Sequence, residues 1–230
     1  MNEPIIELHQ VVKKYNGKTS SVTALKDIDR QIGAGEFVAV LGKSGAGKTT
    51  LVNLISGIDR PTSGEIHVAG TAVQALNEDA RAAWRGRNVG VVFQFFQLLP
   101  TLTVMQNVML PMDLAGRYSL REQKERAMRL LDQVGIADHA HKLPSAMSGG
   151  QQQRIVIARA LACDPPVMLA DEPTGSLDSA TASEVLSVFE ALVQQGKTIL
   201  MVTHDRDIMK WVKRTVLLSD GEIVKQSTLH

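Results

Sequence analysis

FVAVLGKSGAGKTT, residues 37–50, decides how this chain is read. Its first five residues form an unbroken apolar run, the pattern of a short strand buried on both faces. Gly42, Lys43, Ser44, Gly45, Ala46, Gly47, Lys48 and Thr49 then match the phosphate-binding loop pattern G-x-x-x-x-G-K-[ST] in full. Behind the loop, Leu51, Leu54 and Ile55 share one helical face, and Gly57 stands where such a helix would end. At average composition the bare pattern arises by chance in about one chain in a hundred of this length, and the flanking strand and helix lower that further. Glycines let the backbone wrap a phosphate chain with N–H groups pointing inward, and the helix N-terminus adds partial positive charge. Lys48 is expected to reach the β and γ phosphates and Thr49 to ligate Mg²⁺, with Thr50 beside it at the helix start.

Two further stretches carry chemistry. Residues 167–170 are apolar and run into Asp171 and Glu172. Strand ends of an open parallel sheet are where such folds bind ligands, so this acid pair is expected beside the phosphate loop. Asp171 would hold Mg²⁺ and Glu172 would polarise the water attacking the γ phosphate. Ser148, Gly149, Gly150 and Gln151 open a helix expected over 151–162, with serine as N-cap, and so form a second anion-ready helix start. One nucleotide pinned between two such starts, one from each of two chains, would account for both and would make a head-to-tail pair with two-fold symmetry.

The remaining sequence supplies the frame. Residues 5–12 and 22–32 read as strands around the turn dipeptide Asn16-Gly17, and residues 58–93 read as strand and turn, with strands at 64–68 and 89–93. From about 103 to 162 the signals are helical, clearest in the capping box at Ser119 and Glu122 followed by Ala127, Leu130, Leu131 and Val134. Strand–helix alternation resumes with a helix across 185–193, a strand at 198–202, a short helix through Trp211 and a hairpin around Asp220-Gly221. The whole predicts an α/β architecture with an inserted helical lobe.

Composition narrows the function classes. The 230 residues are 44% hydrophobic and 21% charged, which excludes collagen-like, coiled-coil and wholly disordered chains. With 25 basic and 24 acidic residues, the net charge of +1 argues against a strongly basic nucleic-acid surface. Cys163, the single cysteine, cannot form an internal disulfide. No apolar run approaches the roughly 18 residues needed to cross a bilayer, and the acidic start at Glu3 and Glu7 is unlike a secretory signal. Any work at a membrane is therefore expected to go through a partner. His139 and His141 lie two apart in an expected loop, a setting in which no metal site is expected.

In order along the chain, GKSGAGKT, VFQ, MSGGQQQR, VMLADEP, SLD and TH make the sequence similar to the ATP-binding subunit of an ABC transporter over essentially its whole length. VFQFFQLLPTLTVMQNVMLP and DEPTGSLDS resemble the macrolide-export and lipoprotein-release branch. The resemblance implies a single P-loop NTPase domain of the ABC ATPase fold over 1–230. It would comprise a mixed-sheet core with an N-terminal antiparallel β subdomain, about 1–94 and 164–230, and an inserted α-helical subdomain, about 95–163. It implies that Tyr15 stacks on adenine, that Gln94 touches Mg²⁺ and the attacking water, and that His204 bonds the γ phosphate and aligns the water with Glu172. Asp178 would lie across a dimer interface as well as capping the helix that follows it.

The implied partners are a second copy and a separate transmembrane permease docking near residues 95–106, with no nucleic acid. The implied location is the cytoplasmic face of the inner membrane, and the cofactors are ATP and Mg²⁺. Met147 stands where the family usually has leucine, and Ser176 where the branch usually has asparagine. The sequence ends soon after its terminal hairpin, so no C-terminal regulatory domain is expected. A soluble ABC-type ATPase acting on ribosomes or nucleic acid is the competing reading, and the single cassette, the neutral charge and the lack of sustained heptads weigh against it.

Overall fold

The computed structural model describes residues 3–17 and 21–228. Two sheets organise them. The first is antiparallel and four-stranded, in the order β2 (Ser21–Gly33), β1 (Pro4–Asn16), β4 (Ser63–Val68), β5 (Thr71–Ala72). The second has the order β10 (Glu222–Thr228), β9 (Arg214–Ser219), β3 (Phe37–Leu41), β8 (Thr198–Thr203), β7 (Val167–Asp171), β6 (Val89–Val92). There β3, β6, β7, β8 and β9 run parallel, and β10 turns back antiparallel on β9. The turn expected at Asn16-Gly17 leads into residues 18–20, which lie outside the described residues.

Period-two alternation along β3 explains why its apolar run is unbroken. Val38 and Val40 face a core shared with Ile6, Leu8, Leu25 and Ile66 of the antiparallel sheet and with Leu51, Leu54 and Ile55 of α1 (Lys48–Ile55). Phe37 and Ala39 face a second core on the opposite side. There they meet α3 (Val104–Ala115), α4 (Leu120–Gln133), α5 (Gly149–Ala160) and α6 (Ser179–Gln194). The antiparallel sheet, α1, the mixed sheet and the four helices thus stack as layers around two cores. This is the mixed-sheet fold expected, with its antiparallel N-terminal sheet and the helices α3 to α5 inserted between β6 and β7.

Three local expectations are corrected. Residues 58–93 were expected to be strand and turn, yet α2 (Glu78–Asn88) lies there. Asn77 caps it by accepting from the Ala80 N–H at 2.9 Å, Glu78 and Asp79 occupy its first turn, and Arg85 and Arg87 its last. Those charges suit the helix dipole. Only Arg81 and Trp84 of α2 are buried, so no apolar stripe announces it. The short helix expected through Trp211 is a 3-10 turn over Arg206–Lys210, started by Asp205 accepting from the Asp207 N–H at 2.9 Å. The helix expected from 151 begins at Gly149 and ends at Ala160.

Candidate active site

The C-terminal ends of the three adjacent parallel strands β3, β8 and β7 build the site. Leu41 pairs with Thr203 and Asp171 with Val202, so Gly42, His204 and Glu172 leave the sheet side by side. They open into a cleft of about 990 Å³. Its floor carries the phosphate loop (Lys43, Ser44, Gly45, Gly47, Lys48), Thr49 and Thr50, and its far side carries Gln94, Asp171, Glu172 and His204. Four segments distant in sequence, around 43–50, 94, 171–172 and 204, therefore line one cleft.

Glycine is required at two loop positions by contact. A Cβ on Gly47 would lie 2.5 Å from the Ala24 carbonyl oxygen, and its φ of 102° is itself unsuited to a side chain. A Cβ on Gly42 would lie 2.6 Å from the Leu218 carbonyl oxygen. Both neighbours are backbone and cannot give way, so the loop is pressed against β2 and β9.

Lys48 is buried, and its Nζ donates to the carbonyls of Gly42 at 2.8 Å and Lys43 at 3.1 Å. The same Nζ is 3.3 Å from Glu172 Oε1. Glu172 is also buried, and its Oε2 accepts from Thr203 Oγ1 at 3.0 Å, the His204 N–H at 3.3 Å and His204 Nδ1 at 2.9 Å. Burial alone would raise its pKa, but the bonds from His204 and Thr203 prevail and hold the carboxyl below its ordinary value. Glu172 is thus a carboxylate at neutral pH. Its backbone has a φ of 48°, a left-handed conformation costing a non-glycine residue about 1–2 kcal/mol.

Asp171 behaves in the opposite way. Burial raises its pKa, Glu172 adds repulsion, and the hydrogen bond from Thr49 and the charge of Lys48 offset this only in part. A buried carboxyl short of positive charge and bonded to a hydroxyl, in a cleft that Gln94 also lines, belongs to a donor set that suits a hard divalent cation such as Mg²⁺.

Other expected residues fall outside this cleft. Tyr15 is exposed and does not line it, though its cross-strand partner Val22 does. Ser148 accepts from the Gln151 N–H at 3.3 Å while Gln151 Oε1 accepts from the Ser148 N–H at 3.0 Å, a complete capping box at the start of α5. Gly149 and Gly150 begin that helix against Leu177 and Thr181, away from the phosphate loop. Asp178 caps α6, accepting from the N–H groups of Ala180 and Thr181 and from Thr181 Oγ1 at 2.6 Å. His139 is bonded to Gln151 Nε2 through its Nε2 at 3.1 Å.

Sequence reasoning missed two walls of the cleft. Val22, Thr23, Ala24 and Lys26 of β2 form one, and Asp220 with Gly221 the other. Gly221 ties them together: its N–H donates to the Ala46 carbonyl at 3.1 Å and its carbonyl accepts from the Lys26 N–H at 2.8 Å. The Asp220-Gly221 turn was visible in the sequence, but its seat against the phosphate loop depends on contacts about two hundred residues apart.

A phosphate loop on a parallel sheet, with a paired acid and histidine at the neighbouring strand ends, defines a P-loop nucleoside-triphosphate hydrolase. The chain belongs to the ABC transporter family, whose model matches residues 25–175. It is an ATP-binding component that hydrolyses ATP. Among relatives, a macrolide export ATP-binding/permease protein, MacB, of Syntrophobacter fumaroxidans is 46% identical over 225 residues. That match covers 97% of this chain but only 32% of the relative, so the chain spans about a third of its length. An uncharacterised ABC transporter ATP-binding protein of Methanocaldococcus jannaschii is 43% identical over 96% of this chain and 98% of its own. A dimeric ATP-binding cassette, MJ0796, solved in a post-hydrolysis state bound to ADP and phosphate, superposes with a TM-score of 0.90. It is 38% identical, with 98% of this chain and 99% of that one covered. No helix among the described residues is long and apolar enough to cross a membrane.

Proposed function

We propose that this chain powers a membrane transporter of the macrolide-export type by closing and reopening an ATP sandwich with a second copy of itself. The observation that carries the reading is the division of the expected site. One cleft holds the phosphate loop, Asp171, Glu172 and His204, while Ser148 and Gly149 sit outside it at another helix start. A second chain docked head to tail would present its Ser148 helix start to the γ phosphate held by the first, and Asp178 would lie at that junction. The dimeric, ADP- and phosphate-bound cassette supports a paired arrangement.

Within each site, ATP would draw Lys48 from the loop carbonyls and Glu172 onto the β and γ phosphates. Glu172 would then accept a proton from the attacking water as its oxygen bonds to the γ phosphorus and the bond to the leaving ADP oxygen breaks. His204, bonded through Nδ1 to Glu172, would hold carboxylate and water in line. Thr49, Asp171 and Gln94 would hold Mg²⁺, which would supply neutralisation of the phosphate charge. The Tyr15 ring would stack on adenine, reached from the cleft wall at Val22.

Division into a core with β subdomain, 1–94 and 164–230, and a helical subdomain, 95–163, fits this cycle because Gln94 would then stand at the hinge. Gln94 also borders a second groove of about 470 Å³ with Phe95, Phe96, Leu98 and Pro144. Phe95 is 76% exposed there, an apolar surface suited to a cytoplasmic helix of a permease. The relative whose name joins ATP-binding and permease functions in one protein supports a membrane partner, and the chain would work against that partner on the cytoplasmic face. The work done would be export, extraction or the transmission of force.

The test is Glu172→Gln. ATP binding should survive, hydrolysis should fall about 10²- to 10⁴-fold, the usual worth of a general base, and ATP should trap a dimer on size exclusion. Hydrolysis at the parent rate would remove the general-base assignment. Purified from its native membranes with ATP in mild detergent, the trapped form should bring down a few-span membrane protein. Recovery with ribosomes or nucleic acid would instead favour the soluble alternative.

A further inference from the structure

Three side chains outside the cleft form a closed network that the catalytic reading does not use. Tyr15 donates its hydroxyl to Asp59 Oδ2 at 2.9 Å. Lys13 Nζ donates to Asp59 Oδ1 at 2.7 Å and to the Arg60 carbonyl at 2.8 Å, and stands 4.8 Å above the Tyr15 ring. Asp59 belongs to the loop that follows α1, and that loop hangs from the helix: the N–H groups of Ile58 and Asp59 both donate to the Asn53 carbonyl. The helix whose first turn carries Lys48 and Thr49 therefore ends by gripping the aromatic side chain at the end of β1.

We infer that Asp59 is a positioning residue for the nucleotide base, fixing the Tyr15 ring beside the cleft through its hydroxyl and, by way of Lys13, through one of its faces. The inference rests on the reading of Tyr15 as the adenine-stacking residue and adds what holds it. Directly opposed residues of an antiparallel pair project to the same face with Cβ atoms about 5 Å apart. Tyr15 opposes Val22, which lines the cleft, so its ring adjoins the space where a base would lie. An unrestrained tyrosine on a surface strand samples several rotamers, and ordering it on binding would cost affinity. With the hydroxyl and one face held by Asp59 and Lys13, that ordering is complete before nucleotide arrives, and 42% of the residue is left exposed.

The carboxylate is suited to this work. Burial acts to raise its pKa, but the bonds from Lys13, the Arg60 N–H and Tyr15 prevail and keep it ionised. The strand itself does not depend on Asp59. The Thr62 N–H donates to the Val12 carbonyl at 2.8 Å, and the Lys14 N–H donates to Thr62 Oγ1 at 2.9 Å. Removing the Asp59 carboxylate therefore frees the ring while β1 remains attached.

The experiment measures calorimetric affinity of the full chain for MgATP and for magnesium tripolyphosphate, which lacks base and sugar. Tyr15→Ala should weaken MgATP about tenfold, the range of base–aromatic stacking, and leave tripolyphosphate unchanged. Tyr15→Phe, which keeps the ring and removes only the hydroxyl, and Asp59→Ala should each weaken MgATP about three- to fivefold, again sparing tripolyphosphate. The double variant Tyr15→Phe with Asp59→Ala should be no worse than Asp59→Ala alone. If Tyr15→Ala reduces the preference for MgATP but Tyr15→Phe and Asp59→Ala do not, Asp59 has no positioning role and the stacking reading stands. If Tyr15→Ala leaves that preference unchanged, stacking by Tyr15 is wrong and the inference falls with it. Equal weakening of both ligands by Asp59→Ala would show damage to α1 and the phosphate loop, and would also overturn it.

Discussion

Asp171 and Glu172 are neighbours in sequence, both buried, and shifted in opposite directions. Glu172 meets three hydrogen-bond donors at its Oε2, whereas Asp171 has the Thr49 hydroxyl, the distant charge of Lys48 and a repelling neighbour. The signs of their pH linkage differ accordingly. Glu172, with its native pKa depressed, contributes stability that is present above the ordinary carboxylate pKa and lost as pH falls through the native value. Asp171, with its native pKa raised, favours the folded state at low pH, and that contribution is lost as pH rises through the native value. At neutral pH the charge on Asp171 therefore costs stability until a cation offsets it. Asp171→Asn should raise the melting temperature of the nucleotide-free protein at neutral pH, by an amount that shrinks as the pH is lowered. It should also abolish Mg²⁺-dependent hydrolysis. Calorimetric scans across pH check the first, and an unchanged or lowered melting temperature would contradict the account of Asp171 as an uncompensated charge.

Among the elements, α2 and the α5–β6 contact show two ways a sequence conceals structure. Helix α2 has no apolar stripe, and its formation rests on the Asn77 cap, on acidic residues in its first turn and on Arg85 donating to the Gly57 carbonyl at 2.9 Å. Asn77→Ala should destabilise the protein by about 1 kcal/mol in urea unfolding, the usual worth of such a cap. A change within error would mean that tertiary contacts alone hold the helix. Gly90 in β6 is needed for closeness: a Cβ there would lie 2.4 Å from the Ala160 carbonyl oxygen at the end of α5. Gly90→Ala should cost about 1–3 kcal/mol by forcing helix and strand apart. Arg159, near the end of α5, donates to the carbonyls of Phe96 and Gln97 at 3.0 and 2.7 Å, so displacement of α5 should also disturb the groove beside Gln94. Stability and ATP turnover, measured on the same preparation, should fall together; unaltered stability would contradict the close packing.

For the molecule as a whole, the separation of Ser148 from the cleft is the feature with most consequence. Lys48→Ala should lose nucleotide binding or turnover, and, under the proposed head-to-tail pairing, Ser148→Arg should be inactive because a bulky charge would replace the helix cap presented to the partner's nucleotide. Mixed, the two chains should regain part of the activity, since one heterodimeric site combines an intact Lys48 with an intact Ser148. No recovery from proven heterodimers would count against shared sites. The sequence alone determined the phosphate loop, the acid pair at the end of β7, the capping box at Ser119, the N-cap at Ser148 and the alternating α/β order. Each of these is a local signal, set by the geometry of a strand end, a tight turn or a helix start within a few residues. Tertiary structure alone decided that β2 and the Asp220-Gly221 turn wall the cleft, that Tyr15 is held by Asp59, and which way Asp171 and Glu172 titrate. Those depend on which distant groups approach and on how much water they exclude, and neither quantity is encoded in any short stretch of the chain.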